Sequence, residues 1–246
     1  MTAALEVRGL KKSFGGIAVT QNVSLTMQPG ERRLIIGPNG AGKTTLFGLI
    51  AGEIRPDAGS IRIFGTDVTR LPVPARARCG LSRTYQIITL FPRDTLAHNV
   101  VLGLLAPMAL RHNAAVDLSK RTDLHDHAVE LLEGVGLGAK ALQRACDVSY
   151  GEQRRVELAL GLAQRPRLLL LDEPLAGLSQ DERTVVQRLI AKVSRETAIL
   201  MIEHDMDVAL EFAEQITVLH YGQVIVEGDR QTVVNHPRTK EIYLGH

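Results

Sequence analysis

The chain has 246 residues, of which 45% are hydrophobic, so it is long enough for one large domain with a substantial buried core. Its 29 basic and 27 acidic residues nearly balance and only 4% of the residues are aromatic, which argues against the basic stripe and stacking platform of a nucleic-acid-binding protein. The two cysteines, Cys79 and Cys146, have neither metal-ligand spacing nor need of a disulfide, which favours a reducing, cytosolic compartment.

The most apolar stretch, Val100 to Leu110, has eleven residues and contains Gly103 and Pro107. A helix that spans a bilayer needs about 20 apolar residues. The first residues also lack the basic region and long apolar core of a signal peptide. We therefore expect a chain that does not itself cross a membrane.

Apolar and polar residues alternate from residue 5 to residue 27, and Gly15–Gly16 divides the stretch in two. This alternation predicts two or three antiparallel strands. The apolar run Arg33–Ile36 then predicts a strand, and the spacing of Thr45–Ile50 predicts a helix after the intervening loop.

That loop, Gly37–Thr44, fits the pattern G-x-x-x-x-G-K-[ST] in the strand, loop and helix context that the pattern requires. Its glycines let several backbone N–H groups face an anion, and the helix start adds the positive end of its dipole. Lys43 adds a positive charge, and the Thr44 hydroxyl can ligate a magnesium ion that is bound to phosphates. The loop therefore predicts a site for a nucleoside triphosphate, without indicating how the energy is used.

The stretch after this helix changes character twice. A turn at residues 55–60 precedes a short strand, Ile61–Phe64, and a basic segment with Arg76, Arg78 and Arg83 follows. From residue 87 to about residue 143 strand signals disappear and helical patches are joined by polar or glycine-rich pieces. We interpret this part as a helical insertion in an α/β domain.

Four leucines at 168–171 predict a strand that is buried on both faces, and Asp172 and Glu173 follow at its carboxyl end. In open α/β sheets that end faces the ligand. Asp172 is placed to hold magnesium, and Glu173 to polarise the water that attacks the γ-phosphate. A chance acidic pair is the alternative, which the phosphate loop makes the weaker one. A helix at 181–195, a strand at 198–202 and a hairpin at 216–227 complete the pattern.

Residues 148–155 read Val-Ser-Tyr-Gly-Glu-Gln-Arg-Arg and predict a capping box, in which Ser149 caps a helix and Glu152 bonds back. Capping alone explains both of these residues, so a purely structural role stays open. Gly151 at the helix start remains unexplained by capping, and it offers a second place where N–H groups can receive phosphate. Two such places in one chain suggest a nucleotide shared between two copies.

Taken together, these motifs resemble those of the ATP-binding subunit of an ABC transporter, over essentially the whole chain. In that family Gly37–Thr44 corresponds to the Walker A loop, Ser149–Glu152 to the signature and Leu168–Asp172 to Walker B. The resemblance implies an α/β fold with a P-loop NTPase (RecA-like) core, an antiparallel β subdomain and an inserted α-helical subdomain. Residues 1–246 would form a single ABC ATPase domain, with 1–86 and 148–246 as the core and 87–147 as the helical subdomain.

The resemblance also implies a role for individual residues, with ATP and Mg²⁺ as cofactors. The implied catalytic residues are Glu173 as the base, the switch histidine His204 and the Q-loop glutamine Gln86. The implied magnesium ligands are Thr44, Gln86 and Asp172. Phe14 falls where an aromatic ring stacks on adenine, although its position alone fits a core residue equally well. The implied ATP-binding residues are Phe14, Gly37, Pro38, Asn39, Gly40, Ala41, Gly42, Lys43, Thr44, Thr45, Ser149, Gly151 and Glu152.

The sequence departs from the family pattern in two stretches. In the signature Tyr150 replaces a glycine and Glu152 replaces a glutamine, while Ser149 and Gly151 are retained. In the loop after Walker B, Ser179 stands where an aspartate is common. Because Ser149 and Gly151 are retained, we expect phosphate contact to survive. The resemblance implies nucleotide binding more strongly than it implies communication between the two sites across a dimer.

The strings around residues 149–155, 171–178, 202–208 and 241–245 look like those of the ATPase subunits of branched-chain amino acid importers and of their urea or amide relatives. The implied partners are a second identical or related ATPase subunit, transmembrane permease subunits and, indirectly, a periplasmic substrate-binding protein, with no nucleic acid. The implied location is peripheral, on the cytoplasmic face of the inner membrane. Two alternatives stay open: an ATPase of a lipid or polysaccharide exporter, and a soluble ABC ATPase without a transport role.

Overall fold

The computed structural model describes residues 2–84, 89–105, 121–203 and 212–244. These residues group into two compact units. The first unit comprises Met1–Arg83, Arg167–Glu173 and Val193–His246, and the second comprises Thr84–Pro166 and Pro174–Lys192. The predicted helical subdomain, residues 87–147, falls within the numbering of the second unit, and the predicted division into subdomains stays a prediction.

The first unit contains an antiparallel sheet of four strands in the order β2-β1-β4-β5. Strands β1 (Leu5–Phe14) and β2 (Ile17–Met27) form the predicted hairpin around Gly15–Gly16. Strand β4 (Ala58–Ile63) pairs with the other edge of β1, and β5 (Thr66–Asp67) completes the sheet. Alternate side chains of the strands are buried, as their sequence pattern predicts.

The second sheet of this unit has six strands in the order β10-β9-β3-β8-β7-β6. Its parallel strands include β3 (Arg32–Ile36), β7 (Leu168–Asp172) and β8 (Ala198–Ile202), and every residue of these three is buried. Because β8 pairs in parallel with both β3 and β7, the loop after β3 and the residues after β7 leave the sheet at the same edge. The sheet thus brings together two segments that are far apart in sequence.

The remaining strands of this sheet are β6 (Leu81–Arg83), β9 (Gln215–His220) and β10 (Gln223–Gly228). Strands β9 and β10 form the predicted hairpin, with its turn at Tyr221–Gly222. Strand β6 is the edge strand on the side opposite β10, and it pairs in parallel with β7. The sequence pattern indicated only a basic segment there.

Helix α1 (Lys43–Ala51) is apolar almost all round, and seven of its nine residues are buried. A helix with that pattern belongs inside a core rather than on a surface. Leu46, Phe47 and Leu49 share one hydrophobic cluster with Leu5 of the antiparallel sheet and Leu200 of β8. The helix that follows the phosphate loop is therefore held by apolar packing along its length.

The end of α1 is held by Arg76 of helix α2 (Val73–Arg78), which is 1% exposed. Its guanidinium donates hydrogen bonds to the carbonyls of Leu49 and Ile50, both at 2.7 Å, and further bonds to those of Leu71 and Thr69 at 2.9 and 3.1 Å. The last carbonyls of a helix have no partner within the helix, so a buried donor satisfies them. Burial lowers the pKa of Arg76, and the charge of Asp67 opposes this shift.

Replacement of Arg76 by methionine should lower the free energy of unfolding by about 2 kcal/mol or more, because buried carbonyls then lose a charged donor worth about 1.5–3 kcal/mol. Urea denaturation of the purified chain measures this loss. Arg78→Met is the matched control, since Arg78 lies two residues later in the same helix and is exposed, and it should change stability by less than about 0.5 kcal/mol. Equal stability of the two variants would contradict the role given to Arg76.

The second unit is helical in its described parts, with α3 (Leu96–Leu105), α4 (Thr122–Gly134), α5 (Tyr150–Ala163) and α6 (Gln180–Lys192). Leu96 and Val100 are fully buried in its hydrophobic cluster, whereas the nearby Phe91 is 57% exposed. Helix α6 ends three residues before the predicted end at residue 195. The chain turns there, with the Thr197 N–H bonded to the Ser194 carbonyl.

Helices α7 (Arg230–Asn235) and α8 (Pro237–Leu244) close the described part of the first unit. None of the helices in the described ranges combines the length and the hydropathy that a transmembrane span requires.

Candidate active site

The phosphate loop depends on glycines where it approaches other backbone. Gly42 caps the start of α1 with φ +96°, and a Cβ at this position would lie 2.5 Å from the Val19 carbonyl oxygen. A Cβ at Gly37 would lie 2.1 Å from the carbonyl oxygen of Leu219. Larger residues at either position would therefore force the loop out of its present path.

The start of α1 is open to an anion. Its first turn has no acidic residue, and no side chain caps it among the residues that the structure describes. Uncapped N–H groups and the positive end of the helix dipole together favour bound phosphate. The local sequence thus places no side-chain cap at this helix start that would compete with a nucleotide phosphate.

Lys43 holds its positive charge over this loop. Its side chain is buried, and its ammonium donates hydrogen bonds to the carbonyls of Gly37 at 2.7 Å and Pro38 at 3.0 Å. Burial lowers the pKa of Lys43, while the charges of Glu173 and Asp172 oppose that shift. The ammonium is therefore held against the loop, in the field of the two predicted carboxylates.

A cavity of about 210 Å³ adjoins the loop. Its wall consists of loop residues from Asn39 to Thr45, together with Val19 and Glu173. The structure thus brings Glu173 and the phosphate loop together at one cavity, although they are far apart in sequence. Val19 was not among the predicted site residues. Its carbonyl lies close to Gly42, a tertiary contact that has no signal in the local sequence.

Phe14 lies at the end of β1, outside the lining of this cavity, and is 46% exposed. The Lys12 ammonium is 5.3 Å from the centroid of its ring. The exposed ring is available to a ligand, and its predicted stacking on adenine stays a prediction.

Glu173 adopts an unusual backbone conformation, with φ +48° at a residue that is not glycine. Its N–H donates a hydrogen bond to the Ile202 carbonyl at 3.0 Å, which ties it to the end of β8. Left-handed conformations of such residues cost energy and concentrate at functional sites. The side chain is buried beside the loop, where a carboxylate can accept a proton from water that attacks phosphate.

Asp172 is 1% exposed, and its two carboxylate oxygens have different surroundings. Oδ2 accepts a hydrogen bond from Arg83 at 2.7 Å, whereas Oδ1 has no hydrogen-bond partner among the described residues. Burial raises the pKa of Asp172, the Arg83 hydrogen bond and charge oppose this shift, and Glu173 and Glu53 reinforce it. A buried carboxylate oxygen without a partner, together with the Thr44 hydroxyl, fits the oxygen ligands that magnesium prefers.

Helix α5 begins with the predicted capping box. The Ser149 N–H donates to Glu152 Oε2 at 3.0 Å, and the Glu152 N–H donates to the Ser149 hydroxyl at 3.2 Å. Beside it, a Cβ at Gly151 would lie 2.2 Å from Glu182 Oε1. Hydrogen bonds from Ser179 lower the pKa of Glu182, and bonds from the Gly151 N–H and the Ser149 hydroxyl add to this shift. The Glu182 carboxylate therefore lies at the start of α5.

Tyr150 and Ser179, which depart from the family pattern, both make contacts within the second unit. The Tyr150 hydroxyl accepts a hydrogen bond from Arg154 at 2.9 Å, and its ring lies 3.2 Å from the position that a Cβ of Gly177 would take. Ser179 donates its N–H and its hydroxyl to Glu182 Oε2 at 3.0 and 2.8 Å. Tyr150 thus packs against the loop after β7, and Ser179 caps α6.

Gln86 and His204 lie outside the described residues. Their predicted roles as a magnesium ligand and as a γ-phosphate contact stay predictions.

The sequence profile of the ABC transporter family matches residues 20–176 of this chain. The chain belongs to this family. The matched residues include the phosphate loop, the start of α5 and strand β7 with Asp172. They also include Glu173, which lines the cavity beside the phosphate loop.

Individual relatives cover nearly the full length of this ABC ATPase. The high-affinity branched-chain amino acid transport ATP-binding protein LivG of Escherichia coli is 34% identical over 255 residues, which cover 98% of this chain and 97% of LivG. The lipopolysaccharide export system ATP-binding protein LptB of Acidithiobacillus ferridurans is 36% identical over 250 residues, which cover 100% of this chain and 98% of LptB. By their names, one relative serves the transport of branched-chain amino acids and the other the export of lipopolysaccharide, so the two ATP-binding proteins differ in cargo.

The fold agrees with that of a solved relative. The crystal structure of the ADP conformation of MJ1267, an ATP-binding cassette of an ABC transporter, superposes with a TM-score of 0.89 at 26% identity, and each chain is covered completely. The predicted α/β P-loop NTPase fold is therefore confirmed. The chain is an ATP-binding ABC ATPase.

Proposed function

We propose that this chain is the ATP-hydrolysing subunit of an ABC importer for branched-chain or other hydrophobic amino acids, or for related amides. The observation that supports hydrolysis is that Glu173 and the phosphate loop line the same cavity. The import of amino acids is supported by the similarity to LivG over 98% of the chain.

Each part of the site has a role in this proposal. The N–H groups of the loop and the start of α1 bind the phosphates, and the Lys43 ammonium moves from its loop carbonyls to phosphate oxygens. Thr44, Gln86 and Asp172 would hold magnesium, which would neutralise phosphate charge when bound. Glu173 accepts the proton of the attacking water, and its bond to Ile202 keeps the carboxylate in place.

Dimer closure is the proposed way in which hydrolysis is coupled to transport. Two copies, or this chain and a related one, would bind two ATP molecules, with the α5 start of each chain closing on the nucleotide held by the other. The position of the Glu182 carboxylate beside Gly151 supports this idea, because it is an anionic group at the α5 start. In the closed dimer phosphate would replace the Glu182 carboxylate, and His204 would contact the γ-phosphate.

The proposed partners are supported by the match to the ABC transporter family. The second unit would dock on a transmembrane permease at the cytoplasmic face of the inner membrane. A periplasmic binding protein would deliver the substrate to that permease. The 36% identity to LptB favours one second candidate, the ATPase of a lipid or polysaccharide exporter.

Purification of the tagged chain from membranes, followed by reconstitution of the recovered permease in vesicles, tests the proposal. We expect a permease partner and ATP-dependent uptake of leucine, isoleucine, valine or an amide when the binding protein is supplied. Recovery of lipid or polysaccharide export components would favour the second candidate. Recovery of ribosomes or DNA, without a permease, would contradict both.

A further inference from the structure

Arg83 is a buried charge that none of the sequence motifs explains. It ends β6, the edge strand that pairs in parallel with β7, and it lies opposite Leu170 in that pairing. Its side chain is 8% exposed. A buried guanidinium needs charged or polar partners to offset the loss of its hydration, so its contacts indicate what it does.

Among the residues that the structure describes, the guanidinium contacts groups from two separate segments of the first unit. Nη2 donates to Asp172 Oδ2 at 2.7 Å, and Nη1 donates to Glu53 Oε2 at 2.8 Å. The carbon at its centre lies 5.7 Å from the centroid of the Phe47 ring. Phe47 belongs to α1 and Glu53 follows it, whereas Asp172 ends β7. One side chain therefore connects the helix after the phosphate loop with the strand that carries the predicted magnesium ligand.

The pairing distinguishes the two oxygens of Asp172. A carboxylate rotates about its last side-chain bond unless a partner fixes it, and the planar guanidinium is a partner of fixed geometry. Arg83 contacts Oδ2, and Oδ1 is left without a hydrogen-bond partner among the described residues. The arrangement thus reserves one oxygen of a buried carboxylate for another ligand.

We propose that Arg83 is a positioning residue for ATP hydrolysis, which holds Asp172 through Oδ2 so that Oδ1 faces the magnesium shell. Its contacts with Phe47 and Glu53 keep that oxygen in a constant place relative to α1, which carries Thr44. The proposal rests on the proposed function, in which Asp172 holds magnesium.

The test uses the affinity for a fluorescent ATP analogue, measured by equilibrium titration in EDTA and in magnesium, with Glu173→Gln present in every variant to prevent turnover. We call the ratio of the affinity in magnesium to the affinity in EDTA the magnesium gain. Arg83→Met should leave the affinity in EDTA within about twofold and reduce the magnesium gain by tenfold or more. Arg83→Lys should restore part of the gain, because an ammonium keeps the charge and lacks the fork. Arg62→Met, at an exposed residue of β4 in the same unit, is the control and should keep the full gain.

A double variant separates positioning from a general effect on the fold. In an Asp172→Asn background Arg83→Met should cause no further loss of the magnesium gain, because both changes remove the same interaction. If Arg83→Met does not fold, Arg83→Lys and Glu53→Gln take its place, and each should reduce the gain by a smaller factor. A full magnesium gain in all three Arg83 and Glu53 variants, or equal losses with and without Asp172, would overturn the proposal.

The same experiment distinguishes this proposal from the proposed function. If Asp172→Asn reduces the magnesium gain and Arg83→Met does not, only the role of Arg83 is wrong. If Asp172→Asn keeps the full gain, the magnesium role of Asp172 is wrong, and the role of Arg83 falls with it.

Discussion

Replacement of Glu173 by glutamine should lower ATP turnover about 100- to 10,000-fold, the range that a positioned general base contributes to a reaction rate. Glutamine has nearly the same shape as glutamate, so the strained backbone at φ +48° and the bond to Ile202 should persist. The amide oxygen cannot take up the proton of the attacking water at neutral pH, and the chemical step therefore slows. ATP affinity should stay within about threefold, because the phosphate-binding groups are unchanged.

Release of phosphate under saturating ATP and magnesium measures the turnover, and titration with labelled ATP measures the affinity. Glu196→Gln removes an exposed carboxylate from the first unit and should leave both values unchanged. In the proposed mechanism Glu173→Gln also accumulates a closed ATP-bound dimer, which size-exclusion chromatography with ATP detects. Normal turnover in the variant would show that another residue is the base.

Replacement of Lys43 by alanine should weaken ATP binding about 10- to 150-fold, since a hydrogen bond to a charged group contributes about 1.5–3 kcal/mol. The Lys43 ammonium is buried and already lies within hydrogen-bond distance of Gly37 and Pro38, so phosphate meets a charge that is in place. Alanine removes this charge and leaves the N–H groups of the loop. Binding should therefore be weakened without being abolished.

The measurement is a titration with labelled ATP in the presence of magnesium, accompanied by thermal unfolding to show that the fold persists. Lys192→Ala removes an exposed lysine at the end of α6 and is the matched control. We expect it to bind ATP like the parent chain. An unchanged ATP affinity in Lys43→Ala would remove the phosphate-loop assignment.

Features that depend on neighbouring residues could be predicted from the sequence. The phosphate loop, the capping box at Ser149 and Glu152, and the strand of four leucines each lie within one short stretch of chain. Turn chemistry, hydrogen-bond reach and burial period act over a few residues, and the order of the motifs along the chain then indicated the family and its fold.

Other features were decided only by tertiary contacts. The sequence indicated residues 76–83 only as a basic segment. In the structure Arg76 holds the end of α1, and Arg83 pairs with Asp172 across 89 residues of sequence. Strand β6 forms in the same segment, at the edge of the sheet. Val19 at the cavity and Tyr150 against Gly177 belong to the same class. A side chain's charge and size are set by its own position, but the partner that satisfies it lies on another strand or helix. That partner is chosen by the packing of the whole unit, because buried charges and polar groups must find each other once water is excluded.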